Sequence, residues 1–244
     1  MKELSRLVQR TFHVTPREED FRTIALGASG RTIVRIGLGD RTCIGILWGD
    51  DRADNDSFIP TDRHLRANGV NVPEVYDYEP LAPGCGAALA EDLGNDNLLS
   101  FRSESWEKLR SRYIRAMEQL RLLHECPFPE NFSFQPSFDE SLYRGGRPEY
   151  DLASLVFDGY AHLEAEQTDE LLREWEHLTG RALDRDIFCA CALQRLMQML
   201  GAYANIGHNK GKTWYLKQIP AGLAHLRRLL PGSMLAEPLA GMLE

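Results

Sequence analysis

Apolar and polar residues alternate through the first hundred positions, and a helical period takes over in the rest. FRTIALGAS, GRTIVRIGL and DRTCIGILW are short β-branched runs broken by glycine or aspartate, which is how a hairpin meander is punctuated. They predict three antiparallel strands, roughly 21–28, 31–38 and 41–48. DDRADNDSFIPTDRHLRANG then sets acidic residues at a helix start and Phe58, Ile59 and Leu65 near one face. It closes on Asn68-Gly69, with Pro60 beginning the longer helix or kinking it. VPEVYDYE and CGAALAED read as two further strands around the turn LAPG. The expected order is three strands, one helix, two strands, preceded by the amphipathic helical run MKELSRLVQRTF.

From Ser103 the period changes. SESWEKLRSRYIRAMEQLRLLHE carries Trp106, Leu109, Tyr113, Met117, Leu120 and Leu123 on one apolar stripe, the pattern of an amphipathic helix. Residues 126–148 are rich in Pro, Phe and Ser and form the only long stretch without a period. Four helical runs follow, at about 149–165, 168–178, 183–206 and 212–230. The fold class is therefore α+β. Residues 1–94 are expected to form a β-rich lobe and residues 95–244 an all-helical one.

Charge narrows the partners. The 36 acidic and 28 basic residues leave a net charge of −8 with the signs interleaved, which argues against a nucleic-acid or anionic-membrane surface. No run approaches the ~18 apolar residues of a membrane span, and a cytoplasmic protein is expected. Cys43, Cys85, Cys126, Cys189 and Cys191 show neither CxxC pairs nor zinc-ribbon spacing, so they read as reduced thiols. The C-x-C of Cys189 and Cys191 lies in an apolar helical run, where core packing is the expectation.

Candidate chemistry sits at two strand ends. Gly27, Ser29 and Gly30, followed by Arg31, would let backbone N–H groups and one guanidinium approach phosphates, although a hairpin turn also wants glycine. Glu91, Asp92 and Leu93 end the last strand before the helical half.

LGASGRTIVRIGLGDRTCIGILWGDDRADNDSFIPTDRHLRANGVNVPEVYDYE, ALAEDLGNDNLLSF, RPEYDLASLVFD and LQRLMQMLGAYANIGHNKGKTWYLKQIPAGLAHLRRLL occur in that order. Together they resemble bacterial small-molecule kinases of the aminoglycoside phosphotransferase superfamily, most closely the branch that includes the anomeric N-acetylmuramate kinases. The resemblance implies a kinase-like N-lobe of about five antiparallel strands plus one helix. It also implies ATP with Mg²⁺ as cofactors, and a sugar-like small molecule as acceptor. Residues 91–93 would be the hinge that meets the adenine edge, and Gly27, Ser29, Gly30 and Arg31 would lie against the phosphates.

Several parts of that family are missing from the chain. The third strand, 42–48, has no lysine to hold phosphates. Asp54 or Asp56 could supply the helix carboxylate that normally pairs with it, or simply charge a helix start. No His or Arg precedes an Asp in the spacing of the family's catalytic loop with Asn five positions on, save Arg185-Asp186, where Cys191 replaces the asparagine. No I-D-F-Q or I-D-Y-Q metal-binding strand occurs either. Between FDESLYR, which resembles a segment ahead of the catalytic loop, and GGRPEYDLASL, which resembles the segment after the metal strand, nothing remains to hold them.

Asp151, which in relatives braces the catalytic loop, is expected here to N-cap a helix at 151–160. GHNKGKT is one residue short of a phosphate loop and reads as a turn between helices. The aspartates at 50, 51, 54 and 56 read as a solvated helix start rather than a cation site.

A catalytically incomplete, nucleotide-binding member of the family is therefore expected. The alternatives are a non-catalytic module with a protein partner, and an intact enzyme using Asp139, Glu140 or Glu149.

Overall fold

The computed structural model describes residues 1–24, 31–50, 55, 57–127, 148–157, 163–233 and 235–239. Its contacts divide the chain into two units. One holds residues 1–95 with the described residues 125–127, and the other holds residues 96–124 with those from 148 onward.

The first unit is one antiparallel sheet with a helix on each face. Strands β1 (Phe21–Thr23), β2 (Thr32–Gly37), β3 (Thr42–Trp48), β4 (Val75–Ala82) and β5 (Cys85–Glu91) lie in the order β1-β2-β3-β5-β4. Helix α1 (Lys2–Phe12) covers one face, where Leu4, Leu7 and Val8 are fully buried against Val34, Ile36, Cys43 and Leu89. Gly45 makes that approach possible, because a Cβ there would lie 2.8 Å from a Leu4 methyl and 2.9 Å from an Ile36 methyl. A polar clamp holds the helix end: Arg10 donates to both Asp77 oxygens at 2.7 and 2.8 Å and Thr11 donates to one of them at 3.0 Å.

Helix α2 (Phe58–Ala67) lies on the opposite face, where Ile59 and Phe58 pack with Trp48, Ile46 and Ala88. Pro60 sits in its first turn, where a missing N–H costs nothing. Asn68 and Gly69 close it, with Gly69 at a φ of 81°.

The second unit is helical: α3 (Trp106–Glu125), α4 (Pro148–Val156), α5 (Ala165–Thr179), α6 (Arg185–Asn209) and α7 (Ile219–Leu229), with a short α8 (Ala236–Leu239). The predicted stripe of α3 buries Leu109, Tyr113 and Met117 in a core shared with Leu152, Leu171, Leu193 and Leu196. Polar ties join α3 to α5: the Trp106 indole donates to Glu170 at 2.8 Å, and Arg110 pairs with Glu170 and Glu174.

The run expected at 212–230 is divided. A 3-10 turn at Thr213–Gln218 precedes α7, because Pro220 in the first turn of α7 cannot continue a helix from before it. No helix among the described residues is long and apolar enough to cross a membrane.

Candidate functional site

The site uses the sheet face that α1 leaves uncovered. In β2 and β3 the residues alternating with the α1-facing set are Ile33 opposite Ile46 and Arg35 opposite Ile44. With Ala90 of β5, Phe58 and Asp62 of α2 and residues 91–94 they line a cavity of about 300 Å³. A larger cavity of about 640 Å³ lies along the other flank of α2. There Arg63 stacks on Tyr78 at 5.0 Å beside Trp48 and Leu81.

Along residues 91–95 Arg35 and Asp92 match each other. Arg35 donates to the two Asp92 oxygens at 2.5 and 2.9 Å, to the Asn95 side chain at 2.8 Å and to the Gly94 carbonyl at 3.1 Å. The Thr42 hydroxyl and the Gly94 amide donate to the same carboxylate at 2.5 and 2.9 Å. The Arg35 hydrogen bonds, opposed by burial and aided by Thr42 and the Gly94 amide, hold the Asp92 carboxyl down at about 2. Residues 92–95 are thereby tied to β2 as a stiff edge. The Glu91 amide already donates to the Glu74 carbonyl at 2.8 Å and so cannot meet a ligand. Leu93 stands 67% exposed at the rim.

Gly27, Ser29 and Gly30 lie outside the described residues. Arg31 is described, and it is held in place: its Nε donates to Asn55 Oδ1 at 3.0 Å, and its guanidinium lies over the Phe58 ring at 5.3 Å. Asn55 is itself buried and anchored by donating to the Gly49 carbonyl at 2.7 Å. A charge thus stands beside the cavity wall on a rigid support.

Ile44 and Ile46, the β3 side chains that face the cavity, carry no charge, as the lysine-free strand implied. Asp54 and Asp56 precede α2 and lie outside the described residues. The carboxylate that does face the cavity from α2 is Asp62, 7% exposed. Sequence reasoning passed over it and Arg35, although each falls at an inward position of its element's period, where a charged residue is out of pattern.

The expectation that Asp151 caps its helix is corrected. Helix α4 begins at Pro148, whose fixed φ suits a first turn, so Asp151 falls inside the helix. Its carboxylate accepts from His124 Nε2 at 2.8 Å, and the His124 ring meets Trp175 edge to face at 6.2 Å. Asp139 and Glu140, and the junction around Arg144, lie outside the described residues, whereas Glu149 is in the first turn of α4.

Arg185 and Asp186 open α6, capped by Asp184 accepting from the Asp186 and Ile187 amides at 3.1 and 3.0 Å. Arg185 pairs with Glu176 at 3.2 Å. GHNKGKT runs out of the end of α6 through Gly211 at a φ of 67°, and Gly207 is packed under Leu216. It is a helix-to-helix turn. Cys191 is buried in α6, and the Cys189 thiol reaches the Leu229 carbonyl at 3.7 Å.

No protein-family model matches the sequence, and no curated protein matches it. Solved structures do match. A candidate fructosamine-3-kinase from Haemophilus somnus 129PT aligns with a TM-score of 0.50 at 12% identity, over 94% of this chain and 97% of that one. A candidate aminoglycoside phosphotransferase from Ralstonia eutropha JMP134 aligns with a TM-score of 0.47 at 10% identity, over 93% and 95%. A thermostable mutant of the aminoglycoside phosphotransferase APH(4)-Ia, in its apo form, gives 0.44 at 12% identity, over 89% and 97%. With its five-stranded antiparallel sheet backed by α2 and followed by a helical unit, this chain has the α+β fold of the kinase-like phosphotransferases.

Proposed function

We propose that this chain is a nucleotide-binding member of the aminoglycoside-phosphotransferase-like kinases whose phosphotransfer machinery is incomplete. The observation that carries the reading is the apolar cavity under residues 91–94, its rim held rigid by the Arg35–Asp92 pair. An apolar slot with a few fixed polar groups at one end is the shape a planar base requires. A stiff rim reduces the ordering cost of binding. Arg31, braced by Asn55 and Phe58, is the cation available to a phosphate beside the cavity, where Ile46 offers none.

Turnover needs more. A carboxylate must orient the acceptor hydroxyl, and oxygen ligands must hold Mg²⁺ against the phosphates. In the sequence no I-D-F-Q or I-D-Y-Q strand occurs to supply the Mg²⁺ ligands that the family resemblance implies. Asp151, which in relatives braces the catalytic loop, is held here by His124.

The test is calorimetry with adenosine, ADP and Mg-ATP, followed by a phosphoryl-transfer assay on the same sample with a panel of sugars and sugar amines. Nucleotide binding without turnover is expected, and Arg31→Ala should weaken ADP while sparing adenosine. Robust ATP-dependent phosphorylation would overturn the claim of incompleteness. Absence of binding by all three would overturn the claim of a nucleotide site.

A further inference from the structure

Among the residues that line the cavity is a carboxylate of α2 to which no described residue donates. Asp62 is 7% exposed, lines the cavity and accepts no hydrogen bond from any described residue. Burial pushes its pKa up, with Arg66 and Arg63 pulling the other way from a distance. No neighbouring arginine donates to it. Arg35 is saturated by Asp92, Asn95 and Gly94. Arg31 is bonded to Asn55 and stacked on Phe58. Arg63 lies over Tyr78 in the neighbouring cavity. Arg66 reaches the Val72 carbonyl at 3.3 Å and Glu74 at 3.4 Å.

The cavity wall nearest in kind to a partner, Ile44 and Ile46, is hydrocarbon. A buried carboxylate without hydrogen bonds is costly. It is also strongly attractive to any donor that enters, since apolar walls weaken the competition from water.

We infer that the Asp62 wall of this cavity is a subsite for an amino or amidino group carried by the ligand, with Asp62 as its acceptor. The inference rests on the reading of the cavity as a ligand seat and adds what the occupant must bring. A flat ring fills the space between Ile33, Ile46 and Ala90, and its far end presents N–H donors where a lysine would otherwise meet the helix carboxylate. An amidinium suits best, because its two parallel N–H groups match the two oxygens of a carboxylate. A phosphate at that end would meet the carboxylate instead of a cation.

Benzamidine and benzamide are the probes: nearly the same shape, one with a cationic pair of donors and the other neutral with an acceptor in place of one of them. By calorimetry on the full chain, benzamidine should bind at least about tenfold more tightly than benzamide, the size of a charge-assisted hydrogen bond. Asp62→Asn and Asp62→Leu should each bring the ratio close to one. Ile46→Lys, which supplies the missing cation from β3, should do the same. Circular dichroism establishes that each variant is folded, and Asp62→Leu removes a buried charge, so its folding is expected.

Equal binding of the two probes by the wild-type protein, or a preference that survives both Asp62 substitutions, overturns the inference. Adenosine titrated into the wild-type protein separates the two claims. Adenosine binding without amidine preference leaves the nucleotide reading standing and removes the subsite. An amidine preference lost with Asp62 but no adenosine binding supports the subsite and removes the nucleotide.

Discussion

The two faces of the one sheet are built from the same alternating strands and end differently. On the α1 face every inward residue meets hydrocarbon: Leu4, Leu7, Val34, Ile36 and Leu89 have no exposure or almost none, and Gly45 is small so that the helix can approach. On the α2 face the same period leaves a cavity, lined by a matched ion pair and by a carboxylate to which no described residue donates. Packing alone accounts for the first face. The second keeps an arrangement that packing would not favour, and that is where function is to be sought.

The largest expected effect lies on the packed face. Leu7→Ala removes a fully buried side chain between helix and sheet. It should cost about 2–5 kcal/mol, measured as a lower urea midpoint with an unchanged slope. Gly45→Val tests the same contact from the other side. It forces new methyls against Leu4 and Ile36 and should cost about 1–3 kcal/mol.

The matched pair of the open face comes next. Arg35→Met strips Asp92 of its main donors and should lower the urea midpoint by less than the substitutions on the packed face, since the pair is partly open to solvent. It should also weaken adenosine binding by loosening residues 92–95. This pair has a pH signature. Because the folded-state pKa of Asp92 is lowered to about 2, its contribution is complete above the usual carboxylate value and is lost as pH falls through about 4 toward 2. The Arg35→Met profile should lack that loss, as measured by denaturation midpoints across the acid range.

The smallest effect should have the opposite sign. Asp62→Leu removes a largely buried carboxylate to which no described residue donates and should raise the stability of the free protein slightly. Since the pKa of Asp62 is raised on folding, its contribution favours the folded state below the ordinary carboxylate pKa and is lost as pH rises through the raised value. Asp62→Leu should therefore stabilise more at neutral than at acid pH. Stabilisation on the open face beside destabilisation on the packed face would confirm that the two are held to different requirements. A destabilised Asp62→Leu would place Asp62 among the structural residues.

Much of the fold could be read from the chain because it follows from local periods. Alternation located the five strands, the stripe from Trp106 to Met117 located α3, and Asn68-Gly69 closed α2 where expected. Two local readings shifted because proline acts over a longer reach than the pattern around it. Pro148 moved the start of α4 ahead of Asp151, and Pro220 divided the last predicted helix. The residues 91–94 were legible as a strand end, but not the role of Arg35 in bracing them, because a charged residue on a strand does not say which residue far along the chain it will meet.

The sequence by itself determined which residues share a side of each strand and helix, and that the third strand has no lysine, since side-chain direction follows from backbone period alone. Only the tertiary structure decided which side would be covered. It set α1 on one face, left a cavity on the other, paired Arg35 with Asp92 and His124 with Asp151, and gave Asp62 no donor among the described residues. Those outcomes depend on where segments tens of residues apart come to rest, and neither propensity nor spacing carries that information.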